Sequence, residues 1–346
     1  MSSGEYCAGI LAHIKEHLPK DHDQVAEYLI DMEHHYSTHP CQRDVSSLLA
    51  MLAIHTFSTN EFTEIVSRAI HPDTLVTAVL ETIKTLLDNR DLDGANATFS
   101  FILAYADRPD KREEKYVAFR DFIEYAYYMT YCAPKHLPPV HPYLNTDILL
   151  QYARLCALSG DIEKAETFFL ALQNASPIND AILFERADIA RQQGKFNEYR
   201  EITLKCLEYA WMPEDLARAY RNMGYYCTMT SDYTGAVTCY LMATTWEESK
   251  EVAREIEYIT EIAPEKPDIS FILTHGQEIL HGRGIPFGPN TQMIDLMIQY
   301  ADECKAEGDL FEARKYLSRA KALEISDRLE REIERIERFI EDNTMF

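Results

Sequence analysis

The chain has little glycine and few basic residues, and each shortage argues against a class of protein. Only 12 of its 346 residues are glycine, and alternating β-branched runs are rare, which favours an all-α protein over a β-rich one. The 34 Lys and Arg are outnumbered by 57 Asp and Glu, so the formal net charge is −23. A surface this acidic repels nucleic acids and anionic membranes, and we expect neither as a partner.

Long apolar runs and paired cysteines are also missing. No apolar run approaches the roughly 18 residues that a membrane span requires. Residues 1–7 carry neither the basic region nor the apolar core of a secretory signal. The eight cysteines are scattered without paired spacing. From these features we predict a cytoplasmic protein whose thiols are reduced.

The few glycines that are present include a recurring pattern. Gly160 and Gly308 are each followed by Asp at the next residue and by Ala five residues on, and Gly194 lies 34 residues after Gly160. The chain is 46% apolar, which is enough for it to fold despite its charge. A 34-residue period built on paired helices indicates stacked helical hairpins.

The repeat can be written as a frame with fixed positions. Numbering a unit from Thr146 puts Gly160 at position 15, where glycine supports a tight turn because it adopts left-handed dihedrals without a Cβ penalty. The frame starts again at Asp180, Ala217 and Ile294. Position 8 is small in every unit: Ala153, Ala187, Gly224 and Ala301. Position 20 is Ala165, Tyr199, Ala236 and Ala313, so the second unit departs from the pattern.

This pattern resembles the tetratricopeptide repeat, and the chain is similar to a cytoplasmic protein containing such repeats. The resemblance covers residues 146–323, extends to 75–109, and reaches the first 70 residues only as a helical pattern. It implies an all-α fold, an α–α superhelix or solenoid of helical hairpins, whose paired helices approach closely at positions 8 and 20. It also implies an interaction surface and no catalysis.

The repeats predict two regions along the chain. Residues 1–143 form an N-terminal region of degenerate hairpins, and residues 144–346 form clearer repeats ending in a capping helix. The N-terminal hairpins are predicted at 4–18 with 22–37, 44–57 with 60–71, and 75–89 with 92–106. A long aromatic helix is predicted at 111–132. The proline-rich residues 133–145 cannot be helical throughout.

Further elements are predicted in the C-terminal region. An extra hairpin fits residues 249–262 and 269–280. An extended connector, 281–290, is expected to dock Ile285 and Phe287 onto the stack. The last helix, 326–342, has one apolar stripe and a charged outer face, which suits a cap. A coiled-coil dimer contact is the alternative for this helix.

The resemblance also implies a binding groove. In tetratricopeptide stacks, positions 2, 5, 6, 9, 12 and 13 of the first helix face inward, and positions 2 and 5 are expected to face solvent rather than a neighbouring helix. The candidate groove residues are Arg154, Arg191, Arg218, Arg221, Asn222 and Tyr225. Arginines gathered in an acidic protein suit a carboxylate or an acidic peptide. Ordinary solvated helix residues are the alternative, and the family's two-carboxylate clamp is not reproduced.

Other clusters have simpler explanations. Cys156, Cys227 and Cys304 share repeat position 11, which predicts buried packing sites rather than a redox or metal set. Near the N-terminus, which also holds Cys41, His13 with His17 and His35 with His39 are i, i+4 pairs that an antiparallel hairpin could bring together as a zinc site. We favour solvated histidines there, so no metal, cofactor or catalytic residue is predicted.

The sequence therefore predicts a non-catalytic protein- or peptide-binding scaffold whose partner carries an acidic group or carboxylate. Two alternatives stay open at this point. One is an intracellular regulator that responds to a peptide. The other is a metal-binding protein that uses the histidine-rich N-terminal hairpin.

Overall fold

The computed structural model describes residues 3–56, 80, 83–103, 116–132, 139–140, 143–324 and 327–344. In these ranges the chain is all-α, with helices packed in adjacent pairs as the predicted solenoid class requires, and Val117 and Val140 form an isolated β-bridge. The N-terminal helices are α1 (Ser3–Glu16), α2 (His22–Tyr36), α3 (Gln42–Thr56) and α4 (Leu92–Leu103). Residues 83–88 are also helical.

The remaining helices follow the proline-rich segment or lie just before it. A short helix, α5 (Phe122–Tyr127), runs into a π-helix at Tyr128–Cys132. The repeat helices are α6 (Tyr143–Leu158), α7 (Ile162–Ala175), α8 (Asp180–Gln192), α9 (Phe196–Tyr209), α10 (Pro213–Met229), α11 (Tyr233–Trp246), α12 (Lys250–Ile262), α13 (Ile269–His281), α14 (Thr291–Glu307), α15 (Leu310–Leu323) and α16 (Asp327–Thr344). No helix in the described ranges is both long and apolar enough to cross a membrane.

Two compact units make up the chain. The first contains residues 1–118 and 139–175, and the second contains residues 119–138 and 176–346. In the first unit α6 packs against α7 and α4, whereas in the second α8 pairs with α9, α10 with α11 and α14 with α15. The predicted division at residue 143 separates degenerate from clear repeats in the sequence, which is a different property from compactness, and it stays a prediction.

One tight turn recurs between paired helices. Gly160, Gly194 and Gly308 all have positive φ, as the frame predicts, with values of 84°, 70° and 86°. Arg90 and Ser231 occupy the equivalent place with φ of 60° and 63°. At all five turns the next residue donates its N–H to a carbonyl five residues back: Asp91 to Leu86, Asp161 to Cys156, Lys195 to Ala190, Asp232 to Cys227 and Asp309 to Cys304. This is the Schellman closure of a helix end.

The residue after the left-handed position also starts the next helix. Asp232 Oδ1 accepts the N–H of Gly235 at 3.0 Å, and Asp309 Oδ1 accepts that of Glu312 at 3.1 Å. Asp91 and Asp161 make the same bond, at 2.9 and 3.3 Å. Each aspartate therefore ends one helix through its backbone and caps the next through its side chain.

Small residues at positions 8 and 20 are buried as predicted. Ala153, Ala165, Ala187, Ala236, Ala301 and Ala313 are fully buried. The exception, Tyr199, is also fully buried, and its hydroxyl donates to the carbonyl of Asn222 on α10 at 3.0 Å. A tyrosine whose hydroxyl is hydrogen-bonded is tolerated in a core. This hydrogen bond links the second hairpin to the third.

Two predictions about the connecting segments are wrong. Within 111–132, residues 116–119 are not helical and the α-helix begins only at Phe122, because the Asp121 side chain caps the N–H of Ile123. In the 281–290 connector Ile285 is buried as expected, but Phe287 remains 48% exposed. The predicted helix 60–71 lies outside the described residues.

The two helices of the predicted extra hairpin and the terminal helix have the expected bounds, but α12 and α13 do not pair closely with each other as a hairpin would. Helices α12 and α13 both pack against α11, and α16 packs against α15. Leu329, Ile333 and Ile336 of α16 are buried, whereas Phe339 is 58% exposed. The apolar stripe of α16 therefore covers the end of the stack, in the position of a cap.

The expectation that all thiols are reduced is wrong for the first unit. Cys7 of α1 and Cys41, which precedes α3, form a disulfide with a Cα–Cα distance of 5.6 Å. Helices α1 and α2 both pack against α3, which brings the two cysteines together although 34 residues separate them. Sequence spacing alone gives no sign of this pairing.

Exchanging residues at the left-handed turns tests the constraint on them. Ser231→Gly should raise the free energy of unfolding by about 0.5–1 kcal/mol, because a non-glycine residue pays roughly 1–2 kcal/mol in this region and glycine loses part of that gain in entropy. Gly308→Ala should lower it by about 1–2 kcal/mol for the same reason. Urea unfolding midpoints measure both. Changes of the same sign in the two variants would contradict a shared turn.

Removing α16 tests the cap. Deleting residues 324–346 exposes Leu317, Ala320 and Leu323, which are buried in the full chain. Terminal repeats need a polar outer face for solubility, so the shortened chain should aggregate or lose its sharp thermal transition. Phe339→Ser in the full chain is the control and should remain monomeric. A monomeric deletion with unchanged melting temperature would rule out the cap.

Candidate functional site

Four of the six predicted groove residues line one cavity in the second unit. Its volume is about 220 Å³, and it lies among α8, α9, α10, α11 and α12. The lining residues are Asp188, Arg191, Tyr199, Arg221, Asn222, Tyr225, Tyr240, Glu251, Val252 and Glu255. Helical spacing explains the grouping, because Arg221, Asn222 and Tyr225 follow one another around a single turn of α10.

The other two predicted residues lie elsewhere. Arg154 is in the first unit, on α6, where its Nη1 donates to Gln151 Oε1 at 3.4 Å. Arg218 is on α10 but does not line the cavity. The six predicted groove residues therefore do not form one site. Four line the cavity, Arg218 lies outside its lining, and Arg154 belongs to the other unit.

The repeat position of Arg218 predicted that it faces solvent rather than a neighbouring helix, and this prediction is wrong. Its guanidinium lies 3.0 Å from Asp188 and stacks over the Phe184 ring at 4.4 Å. Both partners belong to α8, the first helix of the preceding hairpin. Arg218 therefore ties two hairpins together, and reversing its charge would oppose the fold as well as any partner.

The cavity arginines also have partners within the chain. Arg221 Nη1 lies 2.8 Å from Glu247, which follows α11, and the Arg221 side chain is 30% exposed. Arg191 reaches Asp188 at 3.4 Å and lies over the Tyr225 ring at 5.5 Å. Partly exposed ion pairs of this kind contribute little to stability. A competing carboxylate could replace Asp188 or Glu247 at low cost.

One donor in the cavity wall is unsatisfied. The Nδ2 of Asn222 is buried and has no hydrogen-bond partner among the described residues. The carbonyl of Asn222 is occupied by Tyr199, which fixes the backbone at this point. A buried donor without an acceptor costs about 1–3 kcal/mol, so an acceptor arriving from outside would be stabilised here.

The chemistry of the lining is mixed. Burial raises the pKa of Tyr199 and of Tyr240 above the usual tyrosine value, so both phenols stay neutral. Three carboxylates and two guanidinium groups line the cavity. A hydrogen bond from Ser249 lowers the pKa of Glu251, which keeps that group charged. The lining thus offers partners for both an anionic and a cationic group.

A second cavity of about 500 Å³ lies beside the connector. Its walls come from α9, the 284–290 connector and the start of α14, and include Tyr127, Lys205, Glu208 and the half-exposed Phe287. Tyr127 accepts from Asn290 Nδ2 at 3.2 Å, so the aromatic segment is part of this wall. Nothing in the sequence indicated this cavity, because its walls come from distant segments.

The structure also shows where the cysteines and histidines singled out in the sequence lie. Cys156, Cys227 and Cys304 are buried, as packing sites should be. At the N-terminus the His13 and His17 rings lie 4.0 Å apart. Cys41 is disulfide-bonded and has no thiolate to offer a metal. Among the described residues no group of three or more potential metal ligands is assembled.

Comparison with known proteins gives a likeness of fold only. No family model matches the chain, and no curated protein matches it. Among solved structures, the crystal structure of yeast Tom70 aligns with 13% sequence identity and a TM-score of 0.31. The alignment covers 94% of this chain and 61% of the Tom70 chain. A likeness of this degree establishes neither function nor partner.

Replacing Gly224 tests how rigid the cavity wall is. A Cβ at this position would lie 2.9 Å from the Tyr240 ring, so Gly224→Ala should destabilise the protein by about 1–3 kcal/mol through overpacking. Gly276→Ala on α13 is the matched control, because its Cβ would lie 3.7 Å from Thr238, an ordinary contact. Urea unfolding compares the two. Equal stability of Gly224→Ala and the wild type would show that the wall yields.

Proposed function

We propose that the chain is a non-catalytic scaffold that binds a protein or peptide segment in the 220 Å³ cavity of the second unit. The observation that carries this proposal is the buried, unsatisfied Nδ2 of Asn222. A peptide offers backbone carbonyls along its whole length, and each is an acceptor for such a donor. Neutral tyrosines beside it provide an apolar wall for the adjoining side chain.

The size of the cavity favours a peptide over a metabolite. Small-molecule sites usually enclose about 300–1,000 Å³, and this cavity is smaller. It accommodates one or two side chains of a longer segment. Recognition of an extended partner would then continue along the surfaces of neighbouring hairpins, as repeat proteins commonly do.

The arginines support a finer proposal about the partner. A carboxylate of the bound segment would pair with Arg191 and Arg221, competing with Asp188 and Glu247. Glu251 and Glu255 of α12 also line the cavity and favour a basic residue close by in the same segment. We therefore propose a partner that places an acidic group beside a basic one, rather than a uniformly acidic peptide.

The cellular location is also a matter for proposal. The lack of a long apolar run and the scattered cysteines predicted a cytoplasmic location, and we retain that location as a proposal. The Cys7–Cys41 disulfide weighs against it, because disulfides persist mainly in oxidising compartments.

Binding variants test the proposal directly. A display library of peptides from the native host's proteins would be enriched on the full chain, and the Kd of a selected peptide measured by fluorescence anisotropy. Asn222→Ala combined with Arg221→Ala should weaken binding at least tenfold, because each removes a contact of about 1–3 kcal/mol. Arg218 is left intact because it holds α8.

Two controls make the result interpretable. Arg338→Ala removes an exposed arginine on α16 and should leave the Kd unchanged. The melting temperature of the double variant should stay close to that of the wild type. A folded double variant with wild-type affinity would place the binding surface away from this cavity.

A further inference from the structure

A buried charge cluster lies at the docking site of the segment 119–132. Arg120 Nε lies 2.5 Å from Glu124 Oε1, its N–H donates to Glu124 Oε2 at 2.8 Å, and its Nη2 lies 2.5 Å from Asp180 Oδ1. Glu124 and Asp180 are fully buried. One guanidinium thus serves two buried carboxylates, and a third carboxylate, Asp215 at the start of α10, adjoins Asp180.

Asp180 holds the unusual atom in this cluster. Its Oδ1 is bonded to Arg120, but its Oδ2 is buried and has no hydrogen-bond partner among the described residues. The neighbouring group is the carboxyl of Asp215, which can donate only when it carries a proton. A proton on Asp215 would satisfy Oδ2 and remove the repulsion between the two carboxylates.

We propose that Asp180 and Asp215 share one proton, and that this proton keeps the Arg120 anchor of residues 119–132 intact. Without the proton, Asp180 is a buried carboxylate with one unsatisfied oxygen facing a second negative charge. Such an arrangement relaxes by local opening. The segment is further held by Asp121, which accepts hydrogen bonds from Tyr316 at 2.6 Å and from Arg319 at 2.9 Å, so only the Arg120 end is sensitive to the proton.

Every neighbouring element contributes charge to this pair. Arg120 and Glu124 come from the docked segment, and Glu214 adjoins Asp215 on α10. Cys206 on α9 lies among Asp180, Asp215, Asp188 and Arg218. Trp211 separates Arg120 from Arg319, whose guanidinium groups lie 5.8 and 4.8 Å from its ring. Among these charges, that of Arg120 is the one that most opposes protonation of Asp180 and Asp215. The same guanidinium also pairs with Glu124.

The electrostatics agree with the geometry. Burial, followed by the charge of Asp180, raises the pKa of Asp215 to about 7, and burial raises the pKa of Asp180. The native state therefore binds a proton that the unfolded state, with a carboxyl pKa near 4, releases at lower pH. Stability contributed by this proton is present at acidic pH and is lost as the pH rises toward and through about 7.

The test compares the full chain with two variants from about pH 5 to about pH 8.5. Asp215→Asn places a permanent donor beside Asp180 Oδ2, whereas Glu214→Gln removes the same charge from the adjacent residue. Histidines titrate in this range too, so the difference in stability from the wild type is what matters. For Asp215→Asn that difference should grow at least roughly tenfold, measured as a ratio of unfolding equilibrium constants. For Glu214→Gln it should change much less with pH, because the charge of Glu214 raises the pKa of Asp215 less than burial and Asp180 do. A constant difference for Asp215→Asn overturns the proposal.

Two measurements on the unmodified chain add independent checks, including the case in which Asp215→Asn does not fold. The infrared band of a protonated carboxyl should disappear with a midpoint near pH 7, and hydrogen exchange of the amides in residues 119–127, corrected for intrinsic rates, should accelerate over the same range. Absence of such a band at pH 6 would overturn the proposal. Loss of the pH dependence in excess Mg²⁺ or Ca²⁺ would also overturn it, because the pair would then hold a cation.

Discussion

Each described hairpin turn of the repeat kind depends on a single residue held at positive φ between its two helices. That residue lets the chain reverse within two or three residues. The next backbone N–H then closes the first helix, and the aspartate that usually follows caps the second. The register of the paired helices is thereby set, and small residues at positions 8 and 20 meet across the hairpin. The cavity, the arginine pairs and the docked segment all rest on this register.

The sequence revealed this turn only where glycine occupies it. Gly160, Gly194 and Gly308 indicated the frame, and the hairpins predicted from it have the expected bounds. Arg90 and Ser231 adopt the same conformation although they are not glycine, and their residue types do not predict it. The aromatic stretch 111–132 was predicted as one long helix. The residue that decides its start is Asp121, whose capping role depends on contacts with α15.

The candidate site was predictable in part for a physical reason. Arg221, Asn222 and Tyr225 share one turn of α10, so helical periodicity alone brings them together. Their partners from another hairpin are Arg191 of α8, which lies over the Tyr225 ring, and Tyr199 of α9, which donates to the Asn222 carbonyl. Pairing between hairpins depends on how neighbouring units are rotated, which a repeat pattern does not encode. The Arg120–Asp180–Asp215 cluster escaped prediction for the same reason, since its three members are far apart in sequence.

The turns leave no spare residue between paired helices, and this limits where the chain can change length during evolution. An extra residue at such a turn would rotate the second helix by about 100° and carry its small residues away from the seam. The connector between α13 and α14 is fixed by buried Ile285 and by the bond from Asn290 to Tyr127, whereas the six residues between α12 and α13 carry no such constraint. New recognition loops could therefore be acquired there without rebuilding the hairpins on either side.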